Sequence, residues 1–291
     1  MRSSTAPKRG QINAAQITIY TLLSLWAVTT IYPFIWVLLN SFKVKGKILT
    51  DSFSIPTGAD FTLENYALAF RRVDIFGAYR NSLIISLTVT AMVVLLAGMA
   101  AYGIARYNFR GRKTLQSVII ASMMFPVFST IIPVFRMMNG WGIAGTNSVP
   151  LGLISTALPQ IAGNLSFAIV VLAAYIRSLP IDLEEAAYLE GCTPIQIFFK
   201  VIVPITKPSF ATVAIFSFLW SYNDLFTQMF MLRTKPQWAI TRLLSELTSM
   251  EGTNYGLMTA AVSLVIVPVI LVYILLQKNI IKGMTAGAIK G

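Results

Sequence analysis

Residues 182–204 read DLEEAAYLEGCTPIQIFFKVIVP, and this polar stretch interrupts a chain that is otherwise very hydrophobic. The whole sequence has 11 acidic residues, and four of them lie close together here: Asp182, Glu184, Glu185 and Glu190. Charged side chains are costly inside a membrane. The question is therefore what this stretch, hereafter the 182–204 segment, contacts.

The composition is that of an integral membrane protein. Hydrophobic residues make up 56% of the 291 and charged residues only 12%, with a mean hydropathy of +0.70, whereas soluble domains carry about 25% charged residues. Charge-free runs recur along the chain, each near or above the roughly 20 residues that a membrane-spanning helix needs. They predict an all-α integral membrane protein with six transmembrane helices, near residues 17–39, 82–105, 115–137, 151–176, 207–229 and 257–278.

An even number of spans places both termini on one side of the membrane. The loop RYNFRGRK contains four basic residues and no acid, so the positive-inside rule assigns it to the cytoplasm. The first apolar run is too long for a signal-peptide core, which predicts an uncleaved first span. The predicted divisions are a cytoplasmic N-terminal tail at 1–15, the first span with an extracytoplasmic loop at 16–75, a transmembrane core at 76–280 that contains a cytoplasmic loop at 177–207, and a cytoplasmic C-terminal tail at 281–291.

Local signals predict two helices joined by a turn within the 182–204 segment. Asp182 followed by Glu185 fits a capping box and predicts that a helix starts at Asp182. Gly191 suits the positive φ that ends a helix, and Thr193–Pro194 is a favoured cap and first-turn pair for the next one. Such a segment is either a rigid docking protrusion or an amphipathic connector at the membrane interface. The residues of the second helix predicted to pack onto the spans are Ile195, Phe198 and Ile202.

The same segment resembles the signature of binding-protein-dependent ABC importer permeases, which reads EAA, three residues, G, nine residues, I-x-L-P. Val201 and Val203 replace the usual Ile and Leu, and the spacing is met without a gap. The stretches YPFIWVLLNSFK, NSLIISLTVT, AAYGIARYNFRGRK and GMTAGAIKG are similar to the carbohydrate branch of this family, the maltose-type permeases. The residues that match the signature are Glu185, Ala186, Ala187, Gly191 and Pro204.

The resemblance implies the transmembrane domain of a type I ABC importer in the plasma membrane of a prokaryote. In such importers the two-helix element is a coupling helix seated on a cytoplasmic ATPase, so the five matching residues are the expected ATPase-coupling site. The flexible tail GMTAGAIKG is expected to reach the same interface. The implied partners are a second homologous permease subunit, two cytoplasmic ATPase subunits, an extracytoplasmic solute-binding protein and a carbohydrate. The net charge of +12 is explained by basic segments beside the anionic headgroups of membrane lipid, so no nucleic acid is expected as a partner.

Two other classes of function compete with this one. An ion-coupled secondary transporter keeps a charged residue deep in the bilayer, and only Asp224, near the outer end of span five, fits. An enzyme needs a nucleophile, paired carboxylates or a metal cluster, but the sequence has no histidine and a single cysteine, Cys192. It also has no G-x-x-x-x-G-K-[ST] phosphate loop. We therefore predict a permease without catalytic residues, metal or cofactor. A permease of the same family for a different small solute stays as an alternative.

Polar and aromatic residues in spans four and five are candidates for a substrate path, because aromatic faces stack on sugar rings. Hydrogen bonds between helices and an aromatic belt are the competing explanation. Four prolines, at positions 126, 133, 159 and 268, are places where helices can break around a path. The candidates are Gln160 and Asn164 of span four and Ser217, Trp220, Ser221, Tyr222 and Asn223 of span five.

Overall fold

The computed structural model describes residues 14–250 and 254–288, and within these ranges the chain is helical and forms no β-strand. Short 3₁₀ turns occur at Gly58–Asp60 and Lys235–Gln237, and a π-helical turn at Phe198–Ile202. The α-helices are α1 Ala14–Ser41, α2 Lys45–Thr50, α3 Glu64–Arg72, α4 Ile75–Arg106, α5 Arg112–Ser122, α6 Val127–Gly140, α7 Val149–Arg177, α8 Asp182–Leu189, α9 Pro194–Ile197, α10 Val203–Ile205, α11 Lys207–Asn223, α12 Leu225–Met231, α13 Ile240–Met250 and α14 Tyr255–Ala288.

Three helices in the described part of the chain are long and apolar enough to cross a membrane. They are Ala15–Ser41, Ile75–Arg106 and Val149–Arg177. A fourth is added if Pro194–Ile205 and Lys207–Asn223, which are bent by 84° relative to each other, are counted as one span. The predicted all-helical membrane architecture is confirmed, whereas the count of six spans stays a prediction.

Two of the predicted spans are divided by breaks. The third contains α5 and α6, and Pro126 is the N-cap of α6, where its missing N–H is tolerated. The fifth contains α11 and α12, and Asp224 between them accepts a hydrogen bond from the N–H of Thr227. The other three candidate prolines lie inside helices and do not end them: Pro133, Pro159 and Pro268.

The chain forms two compact units, and the first comprises the described residues of 1–69 and 251–263. Beyond the end of α1, two polar side chains of this unit are buried and hydrogen-bonded. Lys43 is fully buried, and its ammonium donates to a backbone carbonyl at 2.7 Å. Asn65 donates to the carbonyls of Ser41 and Lys43, both at 2.9 Å. The predicted extracytoplasmic loop is therefore a folded element with its buried polar groups satisfied.

The second unit comprises residues 70–250 and 264–288 of the described chain, and its centre is the packing of α4 against α7 and α11. One stripe of α4 at a four-residue spacing is fully buried, which is the periodicity of a single helix face. Small residues at the end of this stripe let the neighbouring helices approach closely. The residues of the stripe are Val89, Val93, Ala97 and Ala101.

α14 continues through Ala288, so 283–288 is helical where the sequence predicted a flexible tail. Residues 289–291 and the N-terminal residues 1–13, on which most of the predicted cytoplasmic tail falls, lie outside the described residues.

Candidate functional site

The 182–204 segment contains two short helices joined by a tight turn. α8 begins at Asp182, as predicted. Gly191 has φ +82°, the left-handed conformation that glycine adopts without steric cost. The N–H of Gly191 donates to the carbonyl of Tyr188 at 2.9 Å, and the N–H of Cys192 donates to that of Ala187 at 3.0 Å. These two bonds form a Schellman motif, so the prediction that Gly191 ends the first helix is confirmed.

The capping box of this segment lies at its second helix. The hydroxyl of Thr193 accepts a bond from the N–H of Gln196 at 3.4 Å, and the Gln196 side-chain oxygen accepts one from the N–H of Thr193 at 2.8 Å. The predicted box between Asp182 and Glu185 is wrong. The N-cap of α8 is Ile181, whose φ of −70° and ψ of −25° are helical and which makes no side-chain cap, whereas a capping residue needs an extended backbone.

Most residues that match the family signature lie at the surface. Two apolar residues of the segment that are not part of the signature are also exposed: Leu189, at the end of α8, by 91% and Ile195 by 65%. The prediction that Ile195 packs onto the spans is wrong, because it lies in the first turn of α9 beside the exposed turn. Ile197 is buried instead, together with the predicted Phe198 and Ile202. Of the signature residues, Ala187 is buried, and Glu185, Ala186, Gly191 and Pro204 are exposed.

The second half of the segment turns sharply into α11. Residues Pro194–Ile205 and Lys207–Asn223 are bent by 84°, and the buried Thr206 at the bend donates its hydroxyl to the carbonyl of Ile202 at 2.6 Å. The segment therefore runs across the end of α11 and does not extend it.

A buried acid joins α8 to the end of α4. Glu184 is 4% exposed. Its Oε1 accepts a bond from Arg106 Nε at 2.5 Å, and its Oε2 accepts one from the Tyr102 hydroxyl at 3.1 Å. Arg106 Nη2 also donates to the carbonyl of Leu179 at 3.1 Å. No local pattern in the sequence pairs Glu184 with these partners, because Arg106 and Tyr102 lie 78 and 82 positions away.

A second, exposed contact joins the same two elements. The hydroxyls of Tyr107, which follows α4, and Tyr188 of α8 lie 3.1 Å apart. This hydrogen bond raises the pKa of the Tyr188 hydroxyl above its ordinary value.

The other candidate site is a cavity of about 810 Å³ lined by residues of α6, α7, α11 and α12 and of both helix breaks. Aromatic side chains form part of its wall, including Phe125, Trp141 and Trp220. Of the predicted path residues, Gln160, Asn164, Trp220 and Ser221 line this cavity. Ser217 and Tyr222 are buried elsewhere, and Asn223 is exposed and bonds the carbonyl of Leu219.

The polar wall of the cavity is a connected network around Gln160. Its amide donates to Asp224 Oδ2 at 2.9 Å, and its side-chain oxygen accepts from the Ser221 hydroxyl at 2.6 Å. Asn164 donates to the Gln160 carbonyl at 2.8 Å, while its own side-chain oxygen is buried and has no partner in the described part of the chain. Such an acceptor is a place for a water or a ligand hydroxyl.

Comparison with known proteins shows the family of this chain. The family model described as "Binding-protein-dependent transport system inner membrane component" matches residues 93–286, and the chain belongs to this family. It is thus a membrane permease component of a transport system. A solved structure of a bacterial ABC transporter that imports the acidic polysaccharide alginate has a TM-score of 0.76 and 23% identity, covering 94% of this chain and 99% of that one. This likeness shows the same fold.

Two relatives cover almost the whole chain. The diacetylchitobiose uptake system permease protein NgcG of Streptomyces coelicolor is 36% identical over 273 residues, which are 93% of this chain and 88% of that protein. The trehalose transport system permease protein SugB of Mycobacterium tuberculosis is 34% identical over 264 residues, 89% of this chain and 92% of that protein. Both of these similar proteins are named as permeases for sugars.

Proposed function

We propose that this chain is the permease subunit of an ATP-driven importer that carries a carbohydrate, of oligosaccharide size, across the plasma membrane of a prokaryote. The observation that carries the proposal is the 182–204 segment, a short helix pair whose second helix lies across the end of α11 and whose signature residues are largely exposed. The sugar specificity of the two relatives supports carbohydrate as the substrate class.

The surface chemistry of the segment favours a protein partner over lipid. Leu189 and Ile195 expose apolar side chains next to the exposed acids Glu185 and Glu190. The acids oppose burial in the bilayer, and an apolar patch with a polar rim is typical of a protein interface. Because the chain has no phosphate loop, the partner that fits best is a separate ATPase subunit in the cytoplasm.

The cavity is the proposed part of the sugar path on this subunit. Aromatic faces beside a few fixed hydrogen-bonding groups suit a ligand with apolar ring faces and many hydroxyls. Non-helical backbone at membrane depth is tolerated only where it contacts protein or lines a water-filled space. The breaks at Pro126 and Asp224 border the cavity, which is where this rule permits them.

The proposed topology has six spans with both termini in the cytoplasm. The spans are α1, α4, the pair α5 and α6, α7, the pair α11 and α12, and α14. The proposed assembly adds a second homologous permease subunit, two ATPase subunits and an extracytoplasmic solute-binding protein. A solved complex similar to this chain in fold contains an alginate pentasaccharide-bound periplasmic protein, which supports a partner of that kind.

Ion-coupled transport is the weaker alternative. Asp224 has a structural role as the N-cap of α12 and as the acceptor for Gln160. Its position in a transmembrane helix break is therefore accounted for without a coupling ion.

Co-purification followed by a ligand screen tests the proposal. Pull-down of the tagged chain from its native membrane should recover an ATPase and a second permease. The solute-binding protein encoded with them should show a rise in unfolding temperature with neutral oligosaccharides. Amino acids and compatible solutes are the control panel. A binding protein that is stabilised only by compounds of the control panel would show that the substrate belongs to another class of small solute.

A further inference from the structure

One face of α4 holds both halves of the 182–204 segment. Gly98, Tyr102 and Arg106 are spaced four residues apart and therefore lie on the same side of the helix. A Cβ at Gly98 would lie 2.7 Å from the Phe210 ring of α11 and 3.2 Å from the Phe198 ring, so the glycine makes room for both rings at this face. The Tyr102 ring lies 5.6 Å from the Phe198 ring, between centroids, and its hydroxyl donates to Glu184.

The position of α8 against α4 depends mainly on Glu184. Only two residues of this helix are buried, Glu184 and Ala187, so apolar packing contributes little to its position. Arg106 and Glu184 expose only 10% and 6% of their side chains, and water therefore screens their attraction weakly. Arg106 lies in the last turn of α4 and Glu184 in the first turn of α8. Each charge is thus favourable at its own helix end.

We propose that Arg106 and Glu184 form a clamp that makes α8 move as one body with the Arg106 end of α4. Arg106 also holds the carbonyl of Leu179, just beyond α7, so the clamp joins the ends of α4, α7 and α8. Under the proposed function, on which this inference rests, a displacement of the 182–204 segment by the ATPase is delivered to α4 directly. Glu184 and Arg106 are then positioning residues for coupling, and they contact neither substrate nor nucleotide.

A distance measurement in the assembled transporter tests the clamp. Spin labels are placed on Cys192, the only cysteine of this chain, and on Gly103→Cys of α4, where a side chain meets open space. In the parent we expect one narrow distance that is the same without nucleotide and with ATP trapped. Glu184→Ala should broaden this distribution and abolish the stimulation of ATP hydrolysis by the sugar-loaded binding protein, while the chain stays inserted.

Glu190→Ala is the matched control, because Glu190 is an exposed acid of the same segment and its loss should leave the distance narrow. If Glu184→Ala does not reach the membrane, the distance distribution of Arg106→Lys is measured in its place. Lysine keeps the charge but lacks the planar fork that reaches Glu184 and Leu179 together, so a wider distribution is expected. A label-to-label distance distribution as narrow as that of the parent would overturn the clamp, if it is found in Glu184→Ala or, where that variant does not insert, in Arg106→Lys.

The clamp and the proposed function fail in different ways. If the parent complex shows no sugar-dependent ATP hydrolysis, the proposed function fails, while the comparison of label distances still tests the clamp. If the parent is stimulated and Glu184→Ala keeps both the narrow distance and the stimulation, the clamp fails and the proposed function stands.

Discussion

Gly191 occupies the one backbone conformation in the 182–204 segment that a side chain would penalise. Its φ is +82° and a Cβ there would meet nothing within 4 Å. The cost of a β-branched substituent is therefore in the backbone, on the order of 1 to 2 kcal/mol. We expect Gly191→Val to tilt the two helices, leaving the protein in the membrane but abolishing substrate-stimulated ATP hydrolysis in the reconstituted complex.

Gly191→Asn is the control for this prediction. Asparagine enters the left-handed region more easily than other residues with a side chain, so most of the stimulation should remain. Parental stimulation by the valine variant would contradict the role given to the turn.

Asp224 is the residue on which the polar wall of the cavity depends. It accepts one bond from Gln160 and one from the N–H of Thr227, and Ser221 fixes the orientation of the Gln160 amide. An asparagine side chain has a single acceptor oxygen, so Asp224→Asn leaves one donor unpaired, at a cost of about 1 to 3 kcal/mol. We expect slower sugar uptake and a lower unfolding temperature of the complex.

Asn223→Ala is the neighbouring control for Asp224→Asn, because the Asn223 side chain does not line the cavity. It should transport like the parent. Equal losses in the two variants would mean that the region matters only for helix packing.

At the level of elements, α9 is held at its start by the capping box of Thr193 and Gln196. Thr193→Ala removes the side-chain acceptor and should cost about 1 kcal/mol of local stability, equivalent to roughly fivefold faster hydrogen exchange at the Gln196 amide. Thr193→Ser retains the hydroxyl and should exchange at the parental rate. Unchanged exchange in the alanine variant would show that packing of Ile197 alone fixes this helix start.

Within this segment the signals at Gly191 and Thr193 predicted the turn, whereas the Asp182 box and the pairing of Glu184 depend on tertiary packing and were not predicted correctly from the sequence. Gly191 and Thr193 determine the turn through bonds to neighbours in the chain. The Asp182 box failed because the turn after α7 already gives Ile181 a helical backbone. Glu184 could not be assigned to Arg106, since the pairing depends on how α4 packs beside α7.

The helix break at Asp224 shows a second limit of the sequence. No glycine or proline marks it in SYNDLF, and hydropathy alone predicts a continuous span through it. Of the predicted path residues that precede the break, Trp220 and Ser221 line the cavity, whereas Ser217, Tyr222 and Asn223 do not. Which of them line a cavity depends on the direction in which α12 leaves Asp224, and this direction is set by packing on α6 and α7.

For the whole molecule, the six-span topology predicts which surfaces are accessible from outside the cell. In a Cys192→Ser background, a membrane-impermeant thiol reagent should label Thr57→Cys in intact cells but not Ser178→Cys. Both positions are exposed, so a difference reports the side of the membrane and not burial. Ser178→Cys should be labelled once the membrane is opened, and labelling of both positions in intact cells would refute the topology.

Under the proposed function, sugar crosses the membrane through this subunit because ATP hydrolysis acts on the 182–204 segment. Uptake of the sugar identified by the ligand screen, measured in proteoliposomes that contain the complete complex, tests this most directly. We predict uptake only with ATP on the ATPase side and the binding protein on the other, unchanged by an ionophore that removes proton and sodium gradients. Uptake that proceeds without ATP, or that stops when the ion gradients are removed, would contradict the claim.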